Sequence, residues 1–300
     1  MKLVTFKDGL RVAVGVAAAD RVVSLRDLLG WDVGSDMREV IERFSDEDIV
    51  HDVATALKRP GGGLPLAKVQ LLAPIRPARN VFCVGWNYAE HFEEGKKTRT
   101  TDALQQIPEH PALFTKNPEA IVGPDAPVWF PAPYSDQLDW EVELAVIVGR
   151  QGRDIAAADA FDHIFGYTIA NDVSIRDIQR TWHGGQWFKG KNFDSHLPLG
   201  PWIVTADEIG DPQALRLSTR VNGVTKQDSN TRNMVFAIPR IIQELSAGMT
   251  LHPGDVIITG TPEGVGMGRT PPEWLKPGDV MELEIEGIGV LRNPVQERSE

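Results

Sequence analysis

Two carboxylates separated by one residue, Glu141 and Glu143, head the run Asp139-Trp140-Glu141-Val142-Glu143-Leu144-Ala145-Val146-Ile147-Val148-Gly149. On a strand, residues two apart share a face, so both acids would reach one cation. A charged strand end in solvent is the competing account. The apolar run that follows implies burial on both sides, which works against solvated carboxylates.

A third acid, Asp172, sits in Ala170-Asn171-Asp172-Val173-Ser174, just after the apolar Phe165-Gly166-Tyr167-Thr168-Ile169. There a strand ends at a polar turn. Asp172 could complete a three-carboxylate set, and an all-oxygen shell with open water positions suits Mg²⁺ or Mn²⁺ better than Zn²⁺ or Cu²⁺. As a lone residue it would merely be a cap. Arg176 and Gln179 follow at helical spacing, which puts all three on one side of a short turn. For Arg176 the plainer alternative is a surface ion pair with Asp177 or Asp172.

The elements that must position these groups are mostly strands, and the chain reads as α+β with β predominating. Leu3 to Phe6, Val12 to Val16 and Val22 to Leu25, the last running toward Leu28-Leu29, form a small β-rich unit around an Asp8-Gly9 turn. Weakly amphipathic helices are expected over Asp36 to Phe44 and Ile49 to Leu57, before Pro60-Gly61-Gly62-Gly63 and Pro65 break the pattern. A boundary between about residues 60 and 78 divides the chain into a small N-terminal α+β domain, 1–73, and a larger domain, 74–300. In the latter, strands are expected at Val81 to Gly85, Val142 to Val148, Trp202 to Thr205, Leu215 to Val221, Val256 to Thr259 and Val280 to Ile285. Asn222-Gly223 is the best hairpin signal. One clear helix is expected from Met234 to Ala247, with Thr231 or Asn233 as cap and Gly248 as stop; Pro239 inside it predicts a kink or a late start.

Composition narrows the class. With 42% hydrophobic and 24% charged residues in 300, this is the profile of an ordinary soluble globular protein with enough length for one large core plus a smaller unit. The net charge of −11 and the absence of a basic stripe argue against nucleic acid. An acidic protein that takes an anionic substrate must make positive potential locally, from a metal or a few placed Lys and Arg. Cys83 is the one cysteine, so no intrachain disulfide can form. No apolar run approaches a membrane span and the N-terminus alternates like a strand, so a cytoplasmic protein without membrane partners is expected.

The ordered set Gly85-x-Asn87-Tyr88-x-x-His91-x-x-Glu94, Glu141-x-Glu143, Asn171-Asp172-x-x-x-Arg176-Asp177-x-Gln179, Gly190-Lys191-Asn192-Phe193-Asp194, Pro198-Leu199-Gly200-Pro201-Trp202 and Gly260-Thr261-Pro262-x-Gly264-Val265-Gly266 resembles the fumarylacetoacetate hydrolase family over residues 78 to 296. Each motif is weak alone; six in order are specific. The resemblance implies a mixed β-sandwich or roll as catalytic domain behind a small β-rich N-terminal domain, and a homodimer. It implies Glu141, Glu143 and Asp172 as ligands of Mg²⁺ or Mn²⁺, with Ca²⁺ also used in the family. A fourth aspartate ligand of the larger members has no match, since Asn87 and Tyr88 occupy that neighbourhood.

The same resemblance implies that His91 activates water with Glu94 orienting its imidazole on a short lid helix. Glu90 and Glu93 compete for Glu94's role, and Lys189 for that of Lys191. Lys191 would stabilise an oxyanion, Arg176 and Gln179 would line the cavity, and Thr261 would contact a substrate carboxylate; Lys116 is a further cavity candidate. A 2-oxo acid can chelate one cation, which then holds enolate charge. Hydrolysis of a C–C bond in an acylpyruvate such as fumarylpyruvate or maleylpyruvate, in aromatic or sugar-acid catabolism, is therefore the leading expectation. Isomerisation or decarboxylation of a hydroxyheptadienedioate-type or oxaloacetate-type substrate is the alternative, and a non-catalytic binding protein a remote one. Gly95 to Glu109 reads as an insertion beside the lid that helps set substrate size.

Overall fold

The computed structural model describes residues 1–30, 34, 36–44, 47–58, 62–96 and 106–298. Residues 97–105, most of the expected insertion, lie outside that set. Among the described residues strands dominate and helices are short, the longest being Glu47–Leu57. None is long and apolar enough to cross a membrane.

A mixed sheet of twelve strands is the frame. Its path runs from Leu64–Pro65 through Arg21–Ser24, Arg11–Ala18 and Lys2–Asp8 to Leu197–Thr205, then Ile164–Asn171, Val142–Val148, Val256–Ile258, Val81–Gly85 and Ala112–Lys116. Lys2 and Leu3 pair with Val204 and Ile203, so the N-terminal hairpin continues the sheet that carries the acids. A second sheet of five strands, built on the hairpin at Asn222-Gly223, packs beside it. Leu138–Asp139 pairs separately with Ser174–Ile175.

Strand Val142–Val148 is buried throughout and explains why its sequence does not alternate. Val142, Leu144, Val146 and Val148 face one apolar core, whereas Ala145 and Ile147 face the other. Glu141 and Glu143 have the parity of Ala145 and Ile147, so both acids leave the sheet on one side.

One expectation changes in the structure, and one is narrowed to a single alternative. The strand expected to run toward Leu28-Leu29 stops at Ser24, and Leu25–Leu29 forms a helix closed by Gly30 at φ 74°. The late helix begins at Ile238, because Pro239 lacks an N–H and is tolerated only in a first turn, where that donor has no partner anyway. Neither Thr231 nor Asn233 caps it. Thr231 instead accepts from the Leu215 N–H and donates to the Pro212 carbonyl.

Candidate active site

Strand register brings the three acids together. Val142 lies opposite Asn171, which sets Asp172 beside Glu141, and the Asp172 N–H donates to the Glu141 carbonyl at 3.0 Å. The Asn171 side chain accepts from the Glu141 N–H at 3.0 Å and locks the junction. Where Val256–Ile258 ends, the Gly260 N–H donates to Glu143 Oε2 at 2.6 Å. One ligand oxygen from each of Glu141, Glu143 and Asp172 lies within 4.8 Å of the others, and all three side chains are buried.

Burial penalises each charge, and the neighbours decide the outcome. Glu141 is held well below the usual carboxylate range: desolvation raises it, but Lys191 and Arg176 outweigh that. Glu143 is pushed well above the range by burial and by the charges of Asp172 and Glu141. Lys191 bridges Glu141 Oε2 at 2.8 Å and Asp172 Oδ2 at 2.6 Å, which keeps its ammonium charged despite burial. Lys116, fully buried, forms an ion pair with Asp172 Oδ1 at 2.8 Å, so two ammonium groups face the Asp172 carboxylate. Three buried acids, one of them pushed up by burial and by the charges of the other two, with ligand oxygens within 4.8 Å of one another, fit a hard divalent cation with oxygen ligands. Neither Asn87 nor Tyr88 belongs to this group. The Asn87 amide is taken up by the backbone of Phe236 and Thr259, which anchors the turn before the lid helix.

That helix, Ala89–Lys96, carries His91 over the cavity. His91 Nδ1 and Glu94 Oε1 are 2.8 Å apart, and Glu94 Oε2 accepts from the Gly264 N–H at 3.0 Å. For a neutral imidazole beside an ionised carboxylate the hydrogen sits on Nδ1, the tautomer that leaves the Nε2 lone pair available. Glu93 is turned away and pairs with Lys96. Lys189 is exposed over the Phe193 ring, whereas Lys191 is buried at the acids.

Arg176 makes its ion pairs inside the protein, with Asp139 at 2.7 Å and Glu141 at 2.7 Å, not on the surface with Asp177 or Asp172. Its Nη1 also donates to Gln179 Oε1 at 3.1 Å, and its Nη2 is buried with no hydrogen-bond partner among the described residues. Thr261 Oγ1 accepts from Gln227 Nε2 at 2.8 Å, which leaves the hydroxyl hydrogen for another acceptor. Together with Trp86, Phe114 and Trp187, these groups enclose a cavity of ≈ 290 Å³ that contains the three acids, His91, Lys191, Arg176, Gln179 and Thr261. Trp187 packs edge-on against both Trp86 and Phe114, which makes one wall apolar.

Two supporting residues escaped the sequence reading. Gln227 ties Thr261 to Val142 and Thr219, though it lies in a hairpin strand with no motif around it. Asp139 accepts from Arg176 and from the N–H groups of Gly266 and Met267. It stands two residues before Glu141, yet only the fold brings residues 266 and 267 to it.

The fumarylacetoacetate hydrolase C-terminal family model matches residues 80–296. The mitochondrial oxaloacetate tautomerase FAHD2A of Bos taurus is 47% identical over 232 residues, 77% of this chain and 71% of its own. The oxaloacetate tautomerase YisK of Bacillus subtilis (strain 168) is 44% identical over 232 residues, 77% and 74% of the two chains. Among solved structures, the maleylpyruvate hydrolase of Sphingobium sp. SYK-6 in complex with manganese(II) and pyruvate is 32% identical, with a TM-score of 0.80 and full coverage of both chains.

These relatives overturn the expectation of acylpyruvate hydrolysis and its catabolic setting. At 44 and 47% identity the matching enzymes are tautomerases, against 32% for the hydrolase. The physical reason is that carboxylates around a cation beside a histidine serve any reaction through an enolate, so the motifs report the shared step and not its outcome.

Proposed function

The chain belongs to the fumarylacetoacetate hydrolase family, and from that premise we propose that it is an isomerase interconverting the keto and enol forms of oxaloacetate or a close 2-oxo dioate. The observation that carries the reading is the likeness to two oxaloacetate tautomerases at 44 and 47% identity. Glu141, Glu143 and Asp172 would hold Mg²⁺ or Mn²⁺, the choice favoured by their all-oxygen donor set. When bound, the cation supplies positive charge beside the 2-oxo group and so acidifies the neighbouring C–H.

Tautomerisation moves one proton. The C3–H bond breaks, its electron pair forms the C2–C3 double bond, and the carbonyl oxygen gains a proton; no water is consumed. His91 is the group assigned to C3, since Glu94 fixes Nδ1 and leaves Nε2 as the base. Lys191 keeps its protons against burial and acts as a hydrogen-bond donor to the C2 oxygen, not as a base. Arg176 Nη2 and the Thr261 hydroxyl are donors for the carboxylate next to the 2-oxo group, and Gln179 lines the same side. A homodimer in the cytoplasm is the proposed state, with light scattering as its check.

The test is the decay of enol-oxaloacetate absorbance with Mg²⁺, Mn²⁺ or EDTA, comparing wild type with His91→Asn. Metal-dependent acceleration, lost in the variant, supports the reading. Pyruvate and CO₂ formed without faster tautomerisation would move it to a decarboxylase.

A further inference from the structure

Gln227 is the one buried residue of the hairpin strand Val224–Asn230, and its side chain bonds both to the strand that carries the acids and to the loop that carries Thr261. A buried amide costs free energy unless its donors and acceptor are met, and here all of them are. Oε1 accepts from the Val142 N–H at 3.1 Å and from the Thr219 hydroxyl at 2.9 Å, while Nε2 donates to Thr261 Oγ1 at 2.8 Å and to the Pro262 carbonyl at 2.9 Å. The two backbone partners settle which end is which, because an N–H can only donate and a carbonyl can only accept. The amino end therefore faces Thr261.

That polarity fixes the Thr261 hydroxyl in turn. Toward Gln227 the hydroxyl can only accept, so its own hydrogen must point elsewhere, and among the described residues it donates to none. Thr261 is buried and lines the cavity beside the acids, Arg176 and Lys191. Gly264, at φ 96°, lets the loop lie this close: a Cβ there would strike the carbonyl of Lys226, the chain neighbour of Gln227. At its other end the amide holds the N–H of Val142, the residue between Glu141 and Glu143, so one side chain links the strand of the acids to the loop of the hydroxyl.

We propose that Gln227 is a positioning residue: by donating to Thr261 Oγ1 it makes that hydroxyl a donor to the cavity, aimed at the carboxylate next to the 2-oxo group of the substrate. The inference rests on the proposed function for the identity of the ligand, a 2-oxo acid, and deepens it by naming what orients one of the carboxylate donors. Gln227 does not itself line the cavity and acts only through Thr261. A glutamate in its place would still accept from Val142 and Thr219. It would offer at most one hydrogen where the amide offers two, and an ionised one would draw the Thr261 hydrogen to itself.

The test is a double-mutant cycle read by calorimetry, with pyruvate, a small 2-oxo carboxylate, titrated into Mg²⁺-loaded protein. Thr261→Val is expected to weaken pyruvate binding about tenfold or more, the loss of one charge-assisted bond. Gln227→Glu is expected to weaken it by a similar factor, yet by less than about threefold when Thr261→Val is already present, because it acts through that hydroxyl. Gln227→Met, which offers no donor, should repeat the pattern, and it carries the test if the glutamate variant does not fold. Mg²⁺ affinity, titrated without pyruvate, should stay within about threefold of wild type in each variant. Additive losses, or unchanged pyruvate affinity in Thr261→Val or in the Gln227 variants, overturn the proposal. So does a loss of Mg²⁺ affinity as large as that of pyruvate, which would mean that Gln227 merely holds the acid strand. Non-additivity in a protein that does not hasten the decay of enol-oxaloacetate would sink the tautomerase reading and leave Gln227 standing. Faster decay with additive losses would do the reverse.

Discussion

Asp139 Oδ2 accepts from Arg176 Nε at 2.7 Å and from the Met267 N–H at 3.0 Å, so one buried carboxylate joins the helix that carries Arg176 to the loop that follows Thr261. Oδ1 adds the Gly266 and Trp140 N–H groups. Removing this acid strips a buried guanidinium of one of its two counter-charges. Asp139→Ala is expected to cost about 3–5 kcal/mol of stability, as for other broken buried pairs, read from the urea midpoint. A loss within 0.5 kcal/mol, the range of an ordinary surface substitution, would show that Asp139 holds nothing in place.

Glu94 is bonded twice, to His91 and to the Gly264 N–H. A glutamine there retains an acceptor for Gly264 or His91 but removes the charge that favours an imidazolium during proton transfer. On the proposed tautomerase reading, Glu94→Gln is expected to lower kcat by about 10²-fold or more, with an unchanged melting temperature. Unaltered kcat would remove Glu94 from the reaction.

Gly190 lies against the helix that carries Gln179. A Cβ at 190 would meet the Gln179 amide nitrogen at 2.5 Å, and backbone cannot give way as a side chain does. Gly190→Ala should therefore shift Lys191 or Gln179 and lower activity, with an overpacking cost of about 1–3 kcal/mol. Full activity in this variant would mean that the two segments do not need their present spacing.

His196 is fully buried, its Nε2 bonded to the Trp129 carbonyl at 2.9 Å. Burial, aided by the Lys116 charge, pushes its pKa down to about 3 from 6.5, so the folded protein keeps it neutral. The unfolded chain takes up a proton as pH falls below about 6.5, whereas the folded chain does so only near the lower value. Stability from this group is thus complete above that pH and lost as pH falls toward about 3, at up to ~1.4 kcal/mol per pH unit. His196→Gln, which can still donate to Trp129, should lose less stability than wild type between pH 7 and pH 5 in urea titrations. Parallel losses would refute the assignment.

Much of the site was legible because chemistry demands particular residue types at particular spacings. Glu141 and Glu143 share a face by strand geometry alone, and the apolar run after them announced burial on both sides, which the two cores of Val142–Val148 display. His-x-x-Glu on a helix made Glu94 the partner of His91, as their 2.8 Å contact shows. The sequence also marked Asn222-Gly223 as a hairpin and Pro239 as a kink or a late helix start, of which the structure shows the late start, since both are local steric rules.

What the sequence by itself determined, then, was the type of site: a cluster of acids able to hold a cation, a histidine with a carboxylate behind it, and cationic side chains beside them. Tertiary structure alone decided the partners of those groups. Asp172 meets Glu141 only through the register of two strands, Arg176 turns inward only because Asp139 waits there, and Gln227 reaches Thr261 across 34 residues of chain. Such pairings depend on which backbones lie side by side, and no local spacing encodes that. The choice between hydrolysis and tautomerisation lies further still from the motifs, because both reactions generate the enolate of a 2-oxo acid, one by breaking a C–C bond after attack of water and the other by breaking a C–H bond, and the motifs report only that shared charge.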